Sequence, residues 1–493
     1  MSRLLPVLLL VASVVACTSS QSTSSQPGAV SSTTQAAAPA EIPITTKSPE
    51  ALEHFKKGEQ FFENVRNAEA SREFGAALTL DPDFVQARAL HGLTTGGAAG
   101  FGEAERARAQ ADTLPEAERL FVAAMTEPNT TAAVSAWKQL IEKAPESRAY
   151  AGLGTQLFIL EQYDEAEAAL RKATQLNPSS AQAQNILGYT LLRRRDFEGA
   201  IKAFQTYAML APMEPNAQDS LAEALMNAGR FEEAENTFRK ALELSPQFNP
   251  GWEGIAFTRF YRGDWKGGNE SLAKAIQGAS SNAERTNFTS EATLVALAQG
   301  RSPDAMRTID ALQQLPNQQP GDLALVAALR GRTRADGGRA REALPLFADA
   351  LNRASADGVP RGLARNVRRQ VLIGRAAAEA QLSDTKALEK TVADVDALAA
   401  ADAADAASQS AAHLVRGLAA MTSGDVMRAR SEFSQCQGAD FYCHWYEVTA
   451  AERAGDRPGA DATRQKLLKS YERDPIALFV RGRLTAAGRN STN

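Results

Sequence analysis

Apolar side chains recur along the middle of this chain in two runs separated by a short polar turn. In residues 215–248, Leu221 and Leu225 belong to the first run, and Ala234 and Phe238 belong to the second. Both runs keep the three-to-four-residue spacing of a helix with one apolar face. The pattern therefore predicts two helices that pack against each other through their apolar faces.

The residues between and beside the runs support this prediction. Gly229 separates the two helices, where a turn needs an unhindered backbone, and Pro246 follows the second helix, which it cannot continue. Ala222 and Ala234 are small at the predicted helix crossing. A larger side chain there would overpack the contact, at a cost of about 1–3 kcal/mol.

The same pattern returns every 34 residues. The repeated positions are Ala166, Ala200, Ala234 and Gly268; Pro178, Pro212 and Pro246; and Leu170, Phe204, Phe238 and Leu272. A fixed period of this length is typical of a solenoid of stacked units. Because each unit contacts only its neighbours, a chain of 493 residues need not divide into separate globular cores.

The pattern resembles the tetratricopeptide repeat (TPR), a helix–turn–helix of 34 residues. The family places small residues, an aromatic residue and a proline at fixed positions, which residues 215–248 fill with Ala222, Ala234, Phe238, Ala241 and Pro246. The resemblance implies an all-α, right-handed superhelical solenoid of stacked helix–turn–helix repeats. It also implies a protein that holds other molecules and performs no chemistry.

The repeat pattern and the composition together predict the domain organisation. We expect a lipoprotein signal peptide at 1–16, and a lipidated cysteine with a disordered Ser/Thr/Ala-rich tether at 17–48. Divergent TPR units follow at 49–146, four contiguous units at 147–282 and degenerate units at 283–480, with a tail at 481–493.

The first 17 residues resemble an export signal. Arg3 precedes an apolar stretch that is too short to span a bilayer, and the stretch ends Val-Val-Ala before Cys17. This ending resembles the bacterial lipoprotein box, which implies acylation of Cys17 and stable membrane anchoring. Thr18 in place of aspartate implies the outer membrane. The alternative is an ordinary secretory signal in which Cys17 occurs by chance.

In TPR proteins the first helix of each pair lines a concave groove at fixed positions of the repeat. The groove positions in this chain are Thr155, Phe158, Ile159, Tyr189, Leu192, Arg193, Glu223, Met226, Asn227, Phe257, Phe260 and Tyr261. Many are apolar or aromatic, so we expect an exposed patch that binds a peptide or an amphipathic helix. Alternatively, a neighbouring turn or the tether covers these residues.

Two further cysteines, Cys436 and Cys443, lie seven residues apart at the join between two units. An exported chain permits a disulfide between them. The alternatives are two small buried side chains, or a metal site completed by His444, although no fourth ligand is evident.

Other chemistry finds little support in the sequence. The four histidines are scattered, and no HExxH, GxSxG or GxxxxGK[ST] frame occurs, so we expect no catalytic residue, no metal and no cofactor. A net charge of −4 does not favour nucleic acid. Arginines at 361–375 share one helix face, which either pairs with the acidic stretch at 384–405 or contacts an anionic lipid or partner.

These observations predict a membrane-anchored periplasmic TPR scaffold in the bacterial cell envelope, lipid-anchored in the outer membrane. Its partners would be envelope proteins or peptides, in the assembly of outer-membrane, pilus or cell-wall machinery. The alternative is a surface lipoprotein that captures a glycan or peptide. The low aromatic content, 6%, disfavours that alternative.

Overall fold

Helices form most of the part of the chain that the structure describes. The computed structural model describes residues 41–315, 318–401, 405–436 and 440–490, and over these residues it contains 25 α-helices, one short 3-10 helix and no strand. The prediction of an all-α helical-repeat solenoid is confirmed. The predicted signal peptide, Cys17 and most of the predicted tether lie outside the described residues.

The first eleven helices are α1 (Pro49–Glu63), α2 (Asn67–Leu80), α3 (Val85–Thr95), α4 (Gly97–Gln110), α5 (Glu116–Thr126), α6 (Thr130–Lys143), α7 (Ser147–Ile159), α8 (Tyr163–Leu176), α9 (Ala181–Arg193), α10 (Phe197–Leu210) and α11 (Pro215–Asn227). The 3-10 helix, Ala111–Thr113, lies between α4 and α5.

The other helices are α12 (Phe231–Leu244), α13 (Asn249–Tyr261), α14 (Trp265–Gly278), α15 (Asn282–Ala298), α16 (Ser302–Gln313), α17 (Pro320–Asp336), α18 (Ala340–Ala354), α19 (Arg361–Gln381), α20 (Thr385–Ala400), α21 (Ala406–Ser423), α22 (Val426–Ser434), α23 (Phe441–Arg453), α24 (Arg457–Leu468) and α25 (Pro475–Asn490).

In four successive helix pairs, the turn uses one residue with a left-handed backbone, and that residue also recurs every 34 positions. Glu161, Arg195, Gly229 and Gly263 have φ of 60°, 64°, 78° and 85°. Only two of the four are glycine, although the other residue types adopt this conformation rarely. In two repeats, the tight turn between packed helices therefore overrides the preference of a non-glycine residue for negative φ.

Each joint between paired helices is built on a small residue facing a large one. A Cβ atom added to Gly188 would lie 2.5 Å from Cε1 of Phe204, so only glycine admits the ring. The same pairing, at the same spacing of 16 residues, occurs in Gly58/Phe74, Gly331/Phe347 and Gly417/Phe433. The degenerate downstream units thus keep the packing joint of the regular ones.

The chain divides between residues 224 and 225, inside α11, into two compact units. In the first unit, consecutive helices pack in pairs, and α1 also contacts α9. Phe55, Phe74 and Phe84 are fully buried around the first pair, with ring centroids 4.8–5.7 Å apart.

In the second unit the first helices of successive pairs form an inner layer. The contacts run from α15 to α17, α19, α21, α23 and α25, and α25 also packs on α15. Leu294, Leu297, Phe441, Phe479 and Val480 share the apolar core at that closing contact. The last helix of the unit thus packs against one of its early helices. The inner-layer helices therefore surround an interior.

Candidate binding pocket

The predicted groove residues are mostly buried. Seven of the twelve are less than 10% exposed: Phe158, Leu192, Met226, Asn227, Phe257, Phe260 and Tyr261. Thr155, Ile159, Tyr189 and Glu223 are half-buried, and Arg193 is exposed. The expectation that the apolar members form an exposed patch is therefore wrong.

The reason is the direction of these side chains. Phe260 turns toward its own partner helix, where its ring fills the space left by Gly268 and lies 5.4 Å from the ring of Trp265. Phe158 similarly lies 5.7 Å from Tyr163, the first residue of the next helix. These aromatic residues close the joint inside a helix pair, so they are unavailable to a ligand.

In the second unit, the segment before α25 covers part of the remaining surface. Tyr261 donates a hydrogen bond to the backbone carbonyl of Glu472, and its ring lies 5.4 Å from that of Tyr471. Arg473 lies 5.6 Å from the ring of Phe238 and 3.8 Å from the carboxylate of Glu253. The chain's own C-terminal segment therefore occupies the face that the sequence predicted for a partner.

The first unit holds a segment of the predicted tether in a similar way. Ile42 is 2% exposed, and its amide donates to Glu146 at 3.3 Å. The buried carboxylate of Glu118 accepts from both the amide and the hydroxyl of Thr45, and Asp81 accepts from the Lys47 amide at 2.9 Å. Residues 41–48 are thus part of the unit, which corrects the tether boundary at 48.

The second unit contains a cavity of about 280 Å³ in its inner layer, which we call the aromatic pocket. Helices α17, α19, α21, α23 and α25 all contribute to its walls. Its lining residues are Arg332, Ala335, Asp336, Gly338, Ile373, Gly374, Ala377, Gln381, Leu418, Tyr442, Trp445, Tyr446, Phe479 and Arg483.

Four aromatic rings form one side of the pocket. Trp445 lies 4.7 Å from Tyr446 and 6.2 Å from Phe479, and Phe479 lies 6.2 Å from Tyr442. Such centroid distances are those of packed aromatic pairs. Helices α23 and α25 supply these rings, so the wall exists only because the inner layer brings those two helices together.

Polar groups line the same cavity as these rings. The Arg332 guanidinium lies 4.6 Å from the Tyr442 ring and 3.4 Å from the Asp336 carboxylate, and Arg483 donates to the Asp336 carbonyl at 3.0 Å. Burial raises the pKa of the Asp336 carboxyl, while Arg332 and Arg483 oppose this shift. The Tyr442 hydroxyl is buried and, among the described residues, has no hydrogen-bond partner.

A second, more open cavity of about 410 Å³ adjoins the pocket, and we call it the basic depression. Its lining residues are Gly338, Arg339, Ala340, Arg341, Glu342, Gln381 and Leu382. Gly338 and Gln381 line both cavities. Arg339 and Arg341 are exposed, and neither forms an ion pair with any described residue.

The structure joins Cys436 and Cys443 in a disulfide, with their Cα atoms 6.3 Å apart. Sulfurs bonded to each other cannot serve as thiolate ligands, so this geometry favours the disulfide over a metal site with His444. His444 instead lies 3.2 Å from Glu447. In the part of the chain that the structure describes, no three metal-ligating side chains converge.

The arginine-rich helix α19 pairs with the acidic stretch that follows it. Arg369 lies 3.6 Å from Asp405, and Arg375 lies 3.2 Å from Asp394. These ion pairs favour the structural interpretation of this helix face over a lipid-binding one. Among the described helices, none combines the length and apolar character needed to cross a bilayer.

Three overlapping segments of the chain, 119–181, 152–216 and 187–247, match the family model described as tetratricopeptide repeat. The matched residues, 119–247, are similar to TPR units. They span the end of the first unit and the start of the second, upstream of the aromatic pocket. The pocket itself is formed by the more divergent helix pairs that follow.

Several solved structures are similar to part of the chain. MamA is 20% identical with a TM-score of 0.30, over 34% of this chain and 95% of MamA. MamA from Desulfovibrio magneticus RS-1 is 19% identical with a TM-score of 0.31, over 33% and 93% of the two chains. YrrB, described as a TPR protein with an unusual peptide-binding site, is 20% identical with a TM-score of 0.26, over 43% and 95%. No curated protein matches the sequence.

Sequence reasoning missed the aromatic pocket, although one signal was present. Residues 441–446 read FYCHWY, which places four aromatic side chains within six positions of a chain that is only 6% aromatic. Helical spacing puts Tyr442, Trp445 and Tyr446 on one face. The guanidinium groups that complete the pocket come from residues far away in the sequence, and no local pattern connects them.

Proposed function

We propose that this protein is a non-catalytic scaffold that binds a partner protein through the aromatic pocket of its second unit. One observation carries the proposal: five inner helices converge on a cavity that combines packed aromatic rings with guanidinium groups and an unpartnered hydroxyl. Concave sites with apolar walls and a few convergent polar groups are typical binding sites. Aromatic and arginine side chains also dominate the energetics of protein interfaces.

We further propose that the scaffold acts in the bacterial cell envelope, anchored by lipid on Cys17 and facing the periplasm. The apolar stretch before Cys17 and the Val-Val-Ala-Cys ending support this location. The disulfide between Cys436 and Cys443 fits an oxidising compartment. The partners would then be envelope proteins or peptides, in assembly of outer-membrane, pilus or cell-wall machinery.

Site-specific photo-crosslinking in intact cells tests the binding role. Gln381 is exposed and lines both cavities, so benzoylphenylalanine in its place should form an adduct with a defined protein, identified by mass spectrometry. Met427 is 70% exposed and lines neither cavity, which makes it the control position. Equal adducts from both positions, or none from Gln381, would contradict the proposal.

A second candidate function is the capture of a glycan. Tyr442 and Trp445, next to Gln381 and Asp336, form the combination of aromatic and polar groups that a sugar ring requires. In that case the probe at Gln381 forms no protein adduct. Soluble oligosaccharide would then change the fluorescence of the wild-type protein but not of Trp445→Ala.

A further inference from the structure

The electrostatic character of the two adjoining cavities narrows the chemistry of their ligand. Four guanidinium groups line them, from Arg332, Arg339, Arg341 and Arg483, against the carboxylates of Asp336 and Glu342. The surface therefore has an excess of positive charge, although the whole chain carries −4. A basic surface attracts an acidic partner. Because the chain as a whole is acidic, its other surfaces attract such a partner less.

The guanidinium groups differ in whether they already contact polar groups of the protein itself. Arg332 is next to Asp336, and Arg483 bonds the Asp336 carbonyl, so both are held within the wall of the pocket. Arg339 and Arg341 are exposed on the basic depression and have no ion pair among the described residues. These two are the ones positioned to meet carboxylates of a ligand.

The aromatic pocket has room for an aromatic side chain. Apolar cavities of ~150 Å³ hold a benzene molecule, and this pocket offers about 280 Å³. Trp445, which is half-buried, presents apolar surface to the pocket, and the buried Tyr442 hydroxyl provides a polar contact point. A ligand with an aromatic ring satisfies both features if a polar atom at the edge of the ring, or a neighbouring backbone carbonyl, contacts the Tyr442 hydroxyl.

We propose that the two cavities together bind an acidic segment of a partner protein that carries one aromatic side chain. The aromatic side chain occupies the aromatic pocket, and neighbouring carboxylates contact Arg339 and Arg341 at the basic depression. Gly338 and Gln381, which line both cavities, make the two contacts continuous. This inference rests on the proposed scaffold function and names the class of partner segment.

Fluorescence anisotropy with the full chain and labelled heptapeptides tests this inference. The probe has a central phenylalanine flanked by glutamates, and its relatives replace the phenylalanine with alanine or the glutamates with lysine or glutamine. We expect binding of the first peptide, about tenfold weakening or more without the aromatic anchor, and no binding with lysine flanks. Binding should also weaken as salt concentration rises.

Charge-reversal variants of the protein complement the peptide series. Arg339→Glu with Arg341→Glu should weaken the acidic probe at least about tenfold, because two attractive contacts become repulsive. Arg428→Glu with Arg453→Glu changes the net charge equally at exposed positions that line neither cavity. That control should bind like the wild type, and thermal unfolding verifies that every variant is folded.

Three outcomes overturn the inference: equal binding of glutamate-flanked and lysine-flanked peptides, equal loss in the control pair, or binding of free phenylacetate as tight as the peptide. A protein adduct at Gln381 without binding of the acidic probe rejects the acidic segment but leaves the scaffold function intact. Failure of both experiments rejects the two proposals together.

Discussion

At the residue scale, the small-to-large pairing decides whether a helix pair can close. Gly188 and Phe204 show the joint in a regular repeat, and Gly417 and Phe433 show it in a divergent one. A ring that lies within van der Waals distance of a helix backbone excludes even a methyl group. The pairing therefore explains why both kinds of repeat have the same architecture.

Gly417→Ala should reduce the free energy of unfolding by about 1–3 kcal/mol, because the new Cβ would lie 2.3 Å from Cε1 of Phe433. Denaturant unfolding measures the change. Phe433→Leu in the same chain should recover part of the loss by making room. Gly362→Ala is the control, because nothing lies within 4 Å of its added Cβ, and it should be neutral or stabilising by up to ~1 kcal/mol.

A buried carboxylate in the first unit makes stability depend on pH. Burial, opposed by Arg148 and reinforced by Glu63 and Glu146, raises the pKa of Glu59 from 4.5 to about 7. The folded chain thus keeps this proton where the unfolded chain loses it. The stability contributed by the proton is complete below pH 4.5 and is lost as pH rises to about 7.

Glu59→Gln should flatten this dependence, because the neutral amide has no proton to lose. Between pH 4.5 and 7 the slope should fall by up to ~1.4 kcal/mol per pH unit, as measured by hydrogen exchange in peptides from α1. The exposed Glu53→Gln, on the same helix, serves as the control. A wild-type slope retained in Glu59→Gln would show that this carboxyl is not responsible.

At the element scale, the connection between α22 and α23 positions the aromatic wall. The disulfide joins Cys436, just after α22, to Cys443 in the first turn of α23. Cys443 is fully buried, and the same core contains Tyr442 and Tyr446, whose rings line the pocket. Cross-linking this loop therefore restrains the start of the helix that supplies three of the four rings.

Replacing Cys436 and Cys443 with serine should lower the free energy of unfolding of the second unit by about 2–3 kcal/mol, the loop-entropy value for so short a loop. It should also weaken ligand binding in the aromatic pocket, since Tyr442 and Tyr446 lose a restraint. Denaturant unfolding with and without reductant measures the first effect. If reductant changes the wild type and the serine variant equally, the bond contributes nothing.

The local patterns predicted the helix pairs well and the binding surface poorly. The 34-residue period located the joints, because Gly188 and Phe204 meet inside their own helix pair. Which surface remains open depends on contacts between distant segments, such as Tyr261 with Glu472. No periodic signal encodes these contacts, so the predicted groove was assigned to side chains that are buried.

At the scale of the whole molecule, each unit uses a non-repeat segment to complete itself. Residues 41–48 bond to Glu118 and Asp81 in the first unit, and Tyr471 and Arg473 pack on α12 and α13 in the second. Solenoid ends usually need capping to cover apolar surface. Both segments therefore stabilise helix faces that repeats alone would leave open to a ligand.

The order of residues 41–48 also bears on the proposed membrane anchor. If Cys17 is lipidated, residues 18–41 alone separate the lipid from Ile42, since Ile42 is already buried in the first unit. The proposed anchor would thus connect the membrane to the first unit.

Cys17→Ser tests the anchor directly. Without an acylated thiol the protein should move from the membrane fraction to the soluble fraction, because among the described residues no helix can span a bilayer. Metabolic labelling with a palmitate analogue should mark the wild type and not the variant. Cys436→Ser with Cys443→Ser is the control, since it removes cysteines without removing the lipidation site. An unchanged sedimentation of Cys17→Ser, with label retained, would place the attachment elsewhere and contradict the proposed location.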